Sequence, residues 1–164
     1  MIEIRDATTA DLPAILAIFN DAVLHTNAVY DETPRTTEAQ EEWFAQRTAQ
    51  HWPVLVAVEA SRVAAFASYG PFRPWPPGYR WTVENSIYVA PECRGRGIGT
   101  RLLAPLVQRA KAVGFHAMVA AIDAENAPSL RLHAGAGFVK VAEMPEVAWK
   151  FGRWLDLVLL EKLL

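Results

Sequence analysis

The stretch RGRGIG, residues 94–99, lies between a strand pattern and a helix pattern, and it decides which fold this chain can adopt. In the residues before it, Val83, Ile87 and Val89 fall at even spacing, which is typical of one face of a β-strand. After it, apolar residues recur at helical spacing as far as Gly114, a residue type that often ends helices. The sequence therefore predicts a strand, a glycine-rich loop and a helix in direct succession.

The three glycines at alternate positions of this loop favour a backbone that binds phosphate. Glycine lets a main chain approach a ligand closely, and a helix that begins there directs unpaired N–H groups and the positive end of its dipole toward one point. Arg94 and Arg96 add positive charge that can meet a pyrophosphate or a 3′-phosphate. A tight strand-to-helix turn with solvated arginines explains the same residues, and the glycines alone do not choose between the two interpretations.

Two common phosphate-binding loops differ from this one. A dinucleotide fingerprint needs its third glycine at Thr100, and a P-loop needs a Gly-Lys-Ser/Thr run that the chain does not contain. The stretch instead resembles the coenzyme A loop of the GNAT N-acetyltransferase superfamily, Arg/Gln-x-x-Gly-x-Gly, which Arg94, Gly97 and Gly99 match. The resemblance implies that acetyl-CoA is the co-substrate.

The composition predicts a single domain over residues 1–164, with 52% hydrophobic and 21% charged positions. The net charge of −2 gives no indication of a nucleic-acid partner or of binding to an anionic membrane surface. No apolar run approaches the roughly 20 residues that span a bilayer, and no signal-peptide pattern is present. The single cysteine, Cys93, cannot form an internal disulfide. For these reasons we expect a cytoplasmic protein. No Cys/His pairs have zinc-site spacing, so no metal is expected.

Periodicity along the rest of the chain predicts elements in the order β, α, α, β, β, β, α, β, α, β, β. Thr37 and Gln40 are expected to form a capping box at the start of the second helix. The last two strands are expected at Phe138–Met144 and Trp154–Leu160, around a loop at Pro145–Arg153. This order matches the GNAT acyl-CoA N-acyltransferase fold, an α/β fold with a mixed, mostly antiparallel sheet and helices on both faces.

Within that superfamily the chain resembles the branch typified by phosphinothricin and methionine sulfoximine acetyltransferases. The matches cover nearly the whole chain and occur in the expected order. They are RDA at 5–7, ETP at 32–34, TVE at 82–84, SIYV at 86–89, LRLH at 130–133 and KFGRWLD at 150–156. The branch also implies a homodimer, and we expect the partner contact at the loop 145–153, where Trp149 is one of the exposed aromatic residues.

Two residues match positions at which the family moves protons. Acetyl transfer from a thioester to an amine needs a base for the amine and an acid for the departing thiolate. Glu84 is the expected base, acting through a water if burial raises its pKa, although a plain strand carboxylate paired with Arg80 is what composition alone favours. His133 lies where many members carry a tyrosine that protonates the coenzyme thiolate and where this branch usually has histidine. A structural, hydrogen-bonded histidine stays equally open.

The resemblance assigns two further sets of residues. The strand before the loop is expected to contact the pantetheine arm, the loop to hold the pyrophosphate, and the start of the next helix to touch the coenzyme, although Asn126 can also be a helix cap. The expected coenzyme-binding residues are Ile87, Tyr88, Val89, Arg94, Gly95, Arg96, Gly97, Ile98, Gly99, Thr100, Asn126 and Ser129. The expected acceptor-binding residues are Tyr30, Arg73, Trp75, Glu84, Asn85 and Ser86. Of these, Arg73 is expected on the acceptor's carboxylate, and Asn85 departs from the histidine or serine common in the branch.

The resemblance therefore predicts an enzyme, an acetyl-CoA-dependent N-acetyltransferase that acetylates the α-amino group of a small amino-acid-like acceptor by direct transfer in a ternary complex. The branch implies acceptors of the phosphinothricin, methionine sulfoximine or methionine sulfone type, and with them a link to resistance. Two alternatives stay open: acetylation of a polyamine or a protein N-terminus, and a non-catalytic acyl-CoA-binding module.

Overall fold

Seven strands and four helices account for most of the chain, which the computed structural model describes over residues 1–164. The strands are β1 (Ile2–Asp6), β2 (Val54–Glu59), β3 (Arg62–Pro71), β4 (Thr82–Val89), β5 (Ala117–Asp123), β6 (Val139–Lys150) and β7 (Arg153–Leu163). The helices are α1 (Leu12–His25), α2 (Thr37–Ala49), α3 (Ile98–Val113) and α4 (Ala127–Gly135). This is the order that the periodicity predicts. No helix has the length and apolar character that crossing a membrane requires.

All the strands belong to one sheet, in the order β1-β2-β3-β4-β5-β7-β6. Every neighbouring pair is antiparallel except β4 and β5, which run parallel. Parallel neighbours need a crossover connection, and the glycine loop with α3 supplies it. The prediction of a mixed, mostly antiparallel sheet is confirmed.

The side chains of β3 alternate between two cores because successive residues of a strand point to opposite faces. Ala65 and Ala67 join the core that contains Leu102 and Leu106 of α3, whereas Phe66 joins the core built around α1. Each fully buried leucine stabilises the fold by about 1.5–3 kcal/mol. The sheet is therefore covered by helices on both faces, as predicted, and β4 is held between α1 and α3.

The predicted capping box at the start of α2 is wrong by one residue. The N-cap is Thr36, whose hydroxyl accepts a hydrogen bond from the Ala39 N–H over 3.2 Å, and Thr37 is already helical. An N-cap needs an extended backbone, which Thr36 has with φ −82° and ψ 167°. Gln40 is buried instead, and its Oε1 accepts a hydrogen bond from Arg35 over 2.9 Å.

The predicted loop at 145–153 is also wrong, because most of it is strand. β6 continues to Lys150, and Phe151 and Gly152, with φ of 50° and 75°, make a two-residue turn into β7. The pairing with β7 shifts register between Met144 and Ala148, so the bulge accommodates Pro145 on this edge strand. The expected partner-contact segment is thus the end of a β-hairpin.

Candidate active site

Strands β4 and β5 pair only at their beginning and then separate. The last paired residues are Glu84 and Val119, beyond which β4 stays paired to β3 as far as Val89, and β5 to β7 as far as Asp123. Asn85 lies at this fork, where its Nδ2 donates to the Val119 carbonyl over 3.1 Å. Because the backbone groups of residues 86–88 that face β5 have no strand partner, this edge of β4 can hydrogen-bond an extended ligand.

A pocket of about 270 Å³ occupies the fork. Its walls come from β4, β5, β7, α4 and the segment that joins α1 to α2. The predicted residues in these walls are Tyr30, Glu84, Asn85, Ser86, Ile87, Tyr88, Asn126, Ser129 and His133. The fold therefore brings both expected catalytic residues into one cavity with four of the expected acceptor residues and four of the expected coenzyme residues.

Glu84 is a half-buried carboxylate without an ion pair. Arg80, the partner that composition favours, donates to the Pro77 carbonyl instead, over 3.1 Å. Burial raises the pKa of Glu84 because the charged carboxylate loses hydration and gains no cation. An unpaired and more basic carboxylate at a pocket wall is suited to accept a proton from an ammonium group.

His133 is buried, with only 4% of its surface exposed, and both ring nitrogens have partners. Nε2 lies 3.0 Å from Asn85 Oδ1, and Nδ1 lies 2.9 Å from the Ser129 carbonyl oxygen. The ring packs edge-on against Phe138, with 5.1 Å between the centroids. Burial lowers the pKa of His133, and the bond to the Ser129 carbonyl acts in the opposite direction. Neither ring nitrogen of His133 is therefore free to contact a ligand in the pocket directly.

Asn126 and Asn85 carry structural hydrogen bonds at the edge of the pocket. The Asn126 side chain accepts from the Ser129 N–H over 3.2 Å, which confirms the predicted cap of α4. The Asn85 amide uses Nδ2 on Val119 and faces His133 with its oxygen. Asn85 is therefore turned into the fork, where it joins β4 to β5 and to α4.

The segment between α1 and α2 forms a wall that is fixed to the far end of the sheet. The Tyr30 hydroxyl donates to Asp123 Oδ2 over 3.0 Å, and desolvation raises the pKa of this phenol. The buried Lys150 ammonium donates to the carbonyls of Thr26 and Val29 over 2.9 and 2.7 Å. These bonds fix the position of the wall over the pocket.

The sequence reasoning missed the roles of Asp123 and Lys150. Asp123 follows the apolar run of β5 directly, and a carboxylate at that position was a visible signal of a polar site at the strand end. Lys150 lay inside the segment predicted as a loop, so its burial had no sequence signal.

The glycine loop enters α3 through left-handed backbone conformations. Gly95 and Gly97 have φ of +74° and +73°, a region that non-glycine residues rarely adopt. α3 begins at Ile98, and the N–H groups of residues 95–100 have no acceptor within the chain. Successive free amides at a helix N-terminus make a group of donors that fits phosphate oxygens. The predicted pyrophosphate loop therefore has the donors that its ligand requires.

Both arginines of the loop are paired with acidic side chains. Arg94 Nη2 lies 2.7 Å from Asp21 and its Nε donates to the Val89 carbonyl over 3.2 Å, while Arg96 Nη2 lies 2.7 Å from Glu59. Both guanidinium groups stay nearly half exposed. Because such exposed pairs contribute only about 0–1 kcal/mol, either arginine can still turn toward a phosphate.

Arg73 and Trp75 do not line the pocket. The Arg73 guanidinium lies over the rings of Phe72 and Tyr79, 5.6 and 5.8 Å from their centroids, and Trp75 is 78% exposed. Both belong to the connection between β3 and β4, which leads directly into the strand that carries Glu84. Their expected contact with the acceptor stays a prediction.

The forked sheet and the free amides at the start of α3 together offer backbone donors for an extended ligand that carries phosphate groups. Residues 14–138 match the acetyltransferase (GNAT) family. An L-methionine sulfoximine/L-methionine sulfone acetyltransferase of Pseudomonas aeruginosa is 50% identical over 159 residues, covering 96% of this chain and 92% of that one. The chain therefore belongs to the GNAT family and is an N-acetyltransferase.

Solved structures agree with this assignment. A crystal structure of an N-acetyltransferase from Staphylococcus aureus superimposes with a TM-score of 0.97 at 43% identity, covering 99% of this chain and 98% of that one. A phosphinothricin acetyltransferase from Sinorhizobium meliloti, crystallised with acetyl-CoA, has a TM-score of 0.96 at 38% identity over 99% of this chain and 88% of that one. The predicted GNAT fold and the resemblance to this branch are both confirmed.

Proposed function

We propose that this N-acetyltransferase transfers the acetyl group of acetyl-CoA to the α-amino group of a small amino-acid-like acceptor, in a ternary complex. The acceptor class is that of methionine sulfoximine, methionine sulfone and phosphinothricin, by analogy with the named relatives. The observation that carries the proposal is Glu84, an unpaired, half-buried carboxylate in the pocket at the sheet fork. Acetylation removes the charge of the amine, so the same reaction would confer resistance to a toxic acceptor.

Glu84 accepts the proton of the acceptor's ammonium group, directly or through one water, and thereby frees the amine lone pair. The amine attacks the thioester carbonyl, whose oxygen becomes negatively charged, and the free backbone N–H groups of β4 are donors for that charge. The amides of residues 95–100 hold the pyrophosphate and so position the thioester against the amine. Each step uses a group that has no other partner in the chain.

The acceptor's carboxylate is assigned to Arg73. A guanidinium group matches a carboxylate with two parallel hydrogen bonds, and Arg73 has no carboxylate partner within the chain. Bound acceptor then brings the connection between β3 and β4 toward the pocket. Arg73→Ala is expected to raise the acceptor KM about tenfold and to leave the acetyl-CoA KM unchanged, and an unchanged acceptor KM would remove Arg73 from the site.

The direct test is free-thiol release from acetyl-CoA against a panel of acceptors. The panel contains methionine sulfoximine, methionine sulfone, phosphinothricin, a polyamine and a short peptide. Strong turnover on the first three supports the proposal. Turnover on the polyamine or peptide alone would replace the acceptor class, and silence across the panel with coenzyme A still bound would favour a binding module.

The assembly that we propose is a homodimer formed through the β6–β7 hairpin. β6 is an edge strand whose side chains are exposed along nearly its whole length, and an edge strand offers unpaired backbone groups to a second chain. Trp149 and Trp154 are each about half exposed and lie 5.1 Å apart, centroid to centroid, close to the exposed Phe151. Such aromatic clusters are typical of interface centres.

Sedimentation velocity at micromolar concentration tests this assembly. The protein is expected to sediment as a dimer, and Trp149→Glu together with Trp154→Glu is expected to give a folded monomer. A wild-type monomer would contradict the proposal. We place the enzyme in the cytoplasm, where its one cysteine, Cys93, persists as a free thiol.

A further inference from the structure

The hydrogen bonds around His133 determine which of its ring nitrogens can exchange a proton. The Val119 carbonyl can only accept, so the Asn85 amide must face it with Nδ2 and must face His133 with Oδ1. His133 Nε2 must then carry a hydrogen, which it donates to Oδ1 over 3.0 Å. An amide oxygen cannot return a proton, and therefore Nε2 keeps its hydrogen in both charge states.

Nδ1 has two possible partners, and both belong to Ser129. The carbonyl oxygen, at 2.9 Å, accepts a hydrogen bond when Nδ1 is protonated. The hydroxyl Oγ, at 3.4 Å, can donate a hydrogen bond when Nδ1 is bare. Ser129 thus supplies a partner for the imidazolium and a different partner for the neutral imidazole. The exchangeable proton of His133 is the one on Nδ1.

Ser129 and His133 both line the pocket, and Ser129 is the more exposed of the two. His133 is 4% exposed, whereas Ser129 is half-buried and its side chain is part of the pocket wall. Of the two partners of Nδ1, only the Ser129 hydroxyl can both accept and donate a proton, so it is the group that can pass the Nδ1 proton to the pocket.

We infer that the Ser129 hydroxyl relays the proton of His133 to the leaving coenzyme thiolate. In this step the Ser129 O–H bond breaks as its proton bonds to the sulfur, and the His133 Nδ1–H bond breaks as that proton moves to Oγ. The thiolate becomes a thiol, the imidazolium becomes a neutral imidazole and the serine is regenerated. No alkoxide persists and no further reactant is needed. The inference rests on the proposed function, since it concerns the last step of that reaction.

Few charged groups lie near the His133 ring. The titratable side chains in the same pocket are Tyr30, Glu84, Tyr88 and Asp123, and none of them hydrogen-bonds to His133. The groups packed on the ring from β4 and from the residue before β6 are Asn85 and Phe138, which carry no charge. Ser129 is therefore the group that distinguishes the two charge states of the ring.

Two isosteric substitutions isolate the hydroxyl. Ser129→Thr keeps it and Ser129→Val replaces it with a methyl group, while both are β-branched and fill the same volume. We expect the valine variant to have a kcat about 10²-fold below that of the threonine variant, with similar KM values for acetyl-CoA. If the valine variant does not fold, Ser129→Ala against the wild type makes the same comparison. Equal kcat values would overturn the relay.

NMR of the ¹⁵N-labelled histidine rings gives a second readout that needs no coenzyme. We expect His133, identified by its loss in His133→Gln, to keep Nε2–H at high pH and to gain a proton on Nδ1 as the pH falls. Because Ser129→Val removes the donor for the neutral ring, the pKa of His133 is expected to be higher in that variant than in Ser129→Thr. Identical titrations, or an Nδ1–H tautomer at high pH, would contradict the inference. Failure of the proposed function is a separate outcome, since it would appear as an inactive wild type.

Discussion

Glu84 and His133 are both titratable residues of the fork pocket, but their surroundings differ. Glu84 has no ion pair, whereas His133 is hydrogen-bonded at both ring nitrogens. Burial nevertheless dominates both pKa shifts, raising that of Glu84 and lowering that of His133. The signs are opposite because burial disfavours a charge, which is the deprotonated form of one group and the protonated form of the other. One physical cause therefore favours the uncharged form of both groups, the protonated carboxyl of Glu84 and the neutral imidazole of His133.

Glu84→Gln tests the role of Glu84 most directly, because it keeps the shape of the side chain but removes the base. We expect kcat to fall by about 10²-fold or more, while coenzyme A still binds. Steady-state turnover and calorimetric titration with coenzyme A measure the two effects. Preserved turnover would mean that Glu84 is not the base and that the unpaired carboxylate has another role.

A second prediction concerns Lys150, which holds the wall on the Tyr30 side of the pocket. Lys150→Met leaves the partly buried carbonyls of Thr26 and Val29 without their donor, so we expect the folded state to lose about 1–3 kcal/mol and the acceptor KM to rise. Thermal denaturation and the two KM values check this. The control is Lys140→Met, because Lys140 is exposed and pairs only with Glu143. Equal acceptor KM values in the two variants would mean that Lys150 does not influence acceptor binding in the pocket.

Gly97→Ala tests the coenzyme side of the same pocket. The left-handed φ of +73° disfavours any Cβ, by about 1–2 kcal/mol, and the strain is relieved by moving the free amides. We expect the acetyl-CoA KM to rise about tenfold with little change in the acceptor KM. Gly135→Ala is the matched control, since its Cβ would meet no atom within 4 Å. Similar acetyl-CoA KM values in the two variants would exclude Gly97 from the phosphate site.

The smallest expected effect is on thermal stability, and it tests the raised pKa of Glu84. The folded pKa of Glu84 lies above its ordinary value of 4.5, so the folded protein binds more protons than the unfolded chain between these two values, and stability falls as the pH rises through that window. Glu84→Gln removes this penalty. We expect its Tm to exceed that of the wild type by a few degrees at neutral pH and to converge with it below pH ~4. The control variant is Glu41→Gln, on the exposed side of α2.

The parts of the fold that could be predicted are those that depend on local constraints. The element order and the phosphate-binding loop follow from apolar periodicity and from the glycines that the left-handed turns require. The predicted end of β6 was wrong because proline usually ends a strand. Only the pairing with β7 shows that a bulge accommodates Pro145. The position of the N-cap at Thr36 rather than Thr37 likewise depends on a backbone angle that neighbouring threonines do not reveal.

The sequence by itself determined the family, the order of the strands and helices and the candidate residues of the site, because each is written in short patterns of residue type and spacing. Only the tertiary structure decided that Glu84 has no cation, that Asn85 and Ser129 hold the two nitrogens of His133, and that Lys150 supports the pocket wall. The Ser129 contact lies within α4, but the contacts of Asn85 with His133 and of Lys150 with Thr26 and Val29 join residues that are distant in the chain, so only the packed fold brings them together. Where a polar group finds its partner is a property of the packed sheet, since burial makes each missing hydrogen bond costly and the chain satisfies it with whatever group the fold brings near.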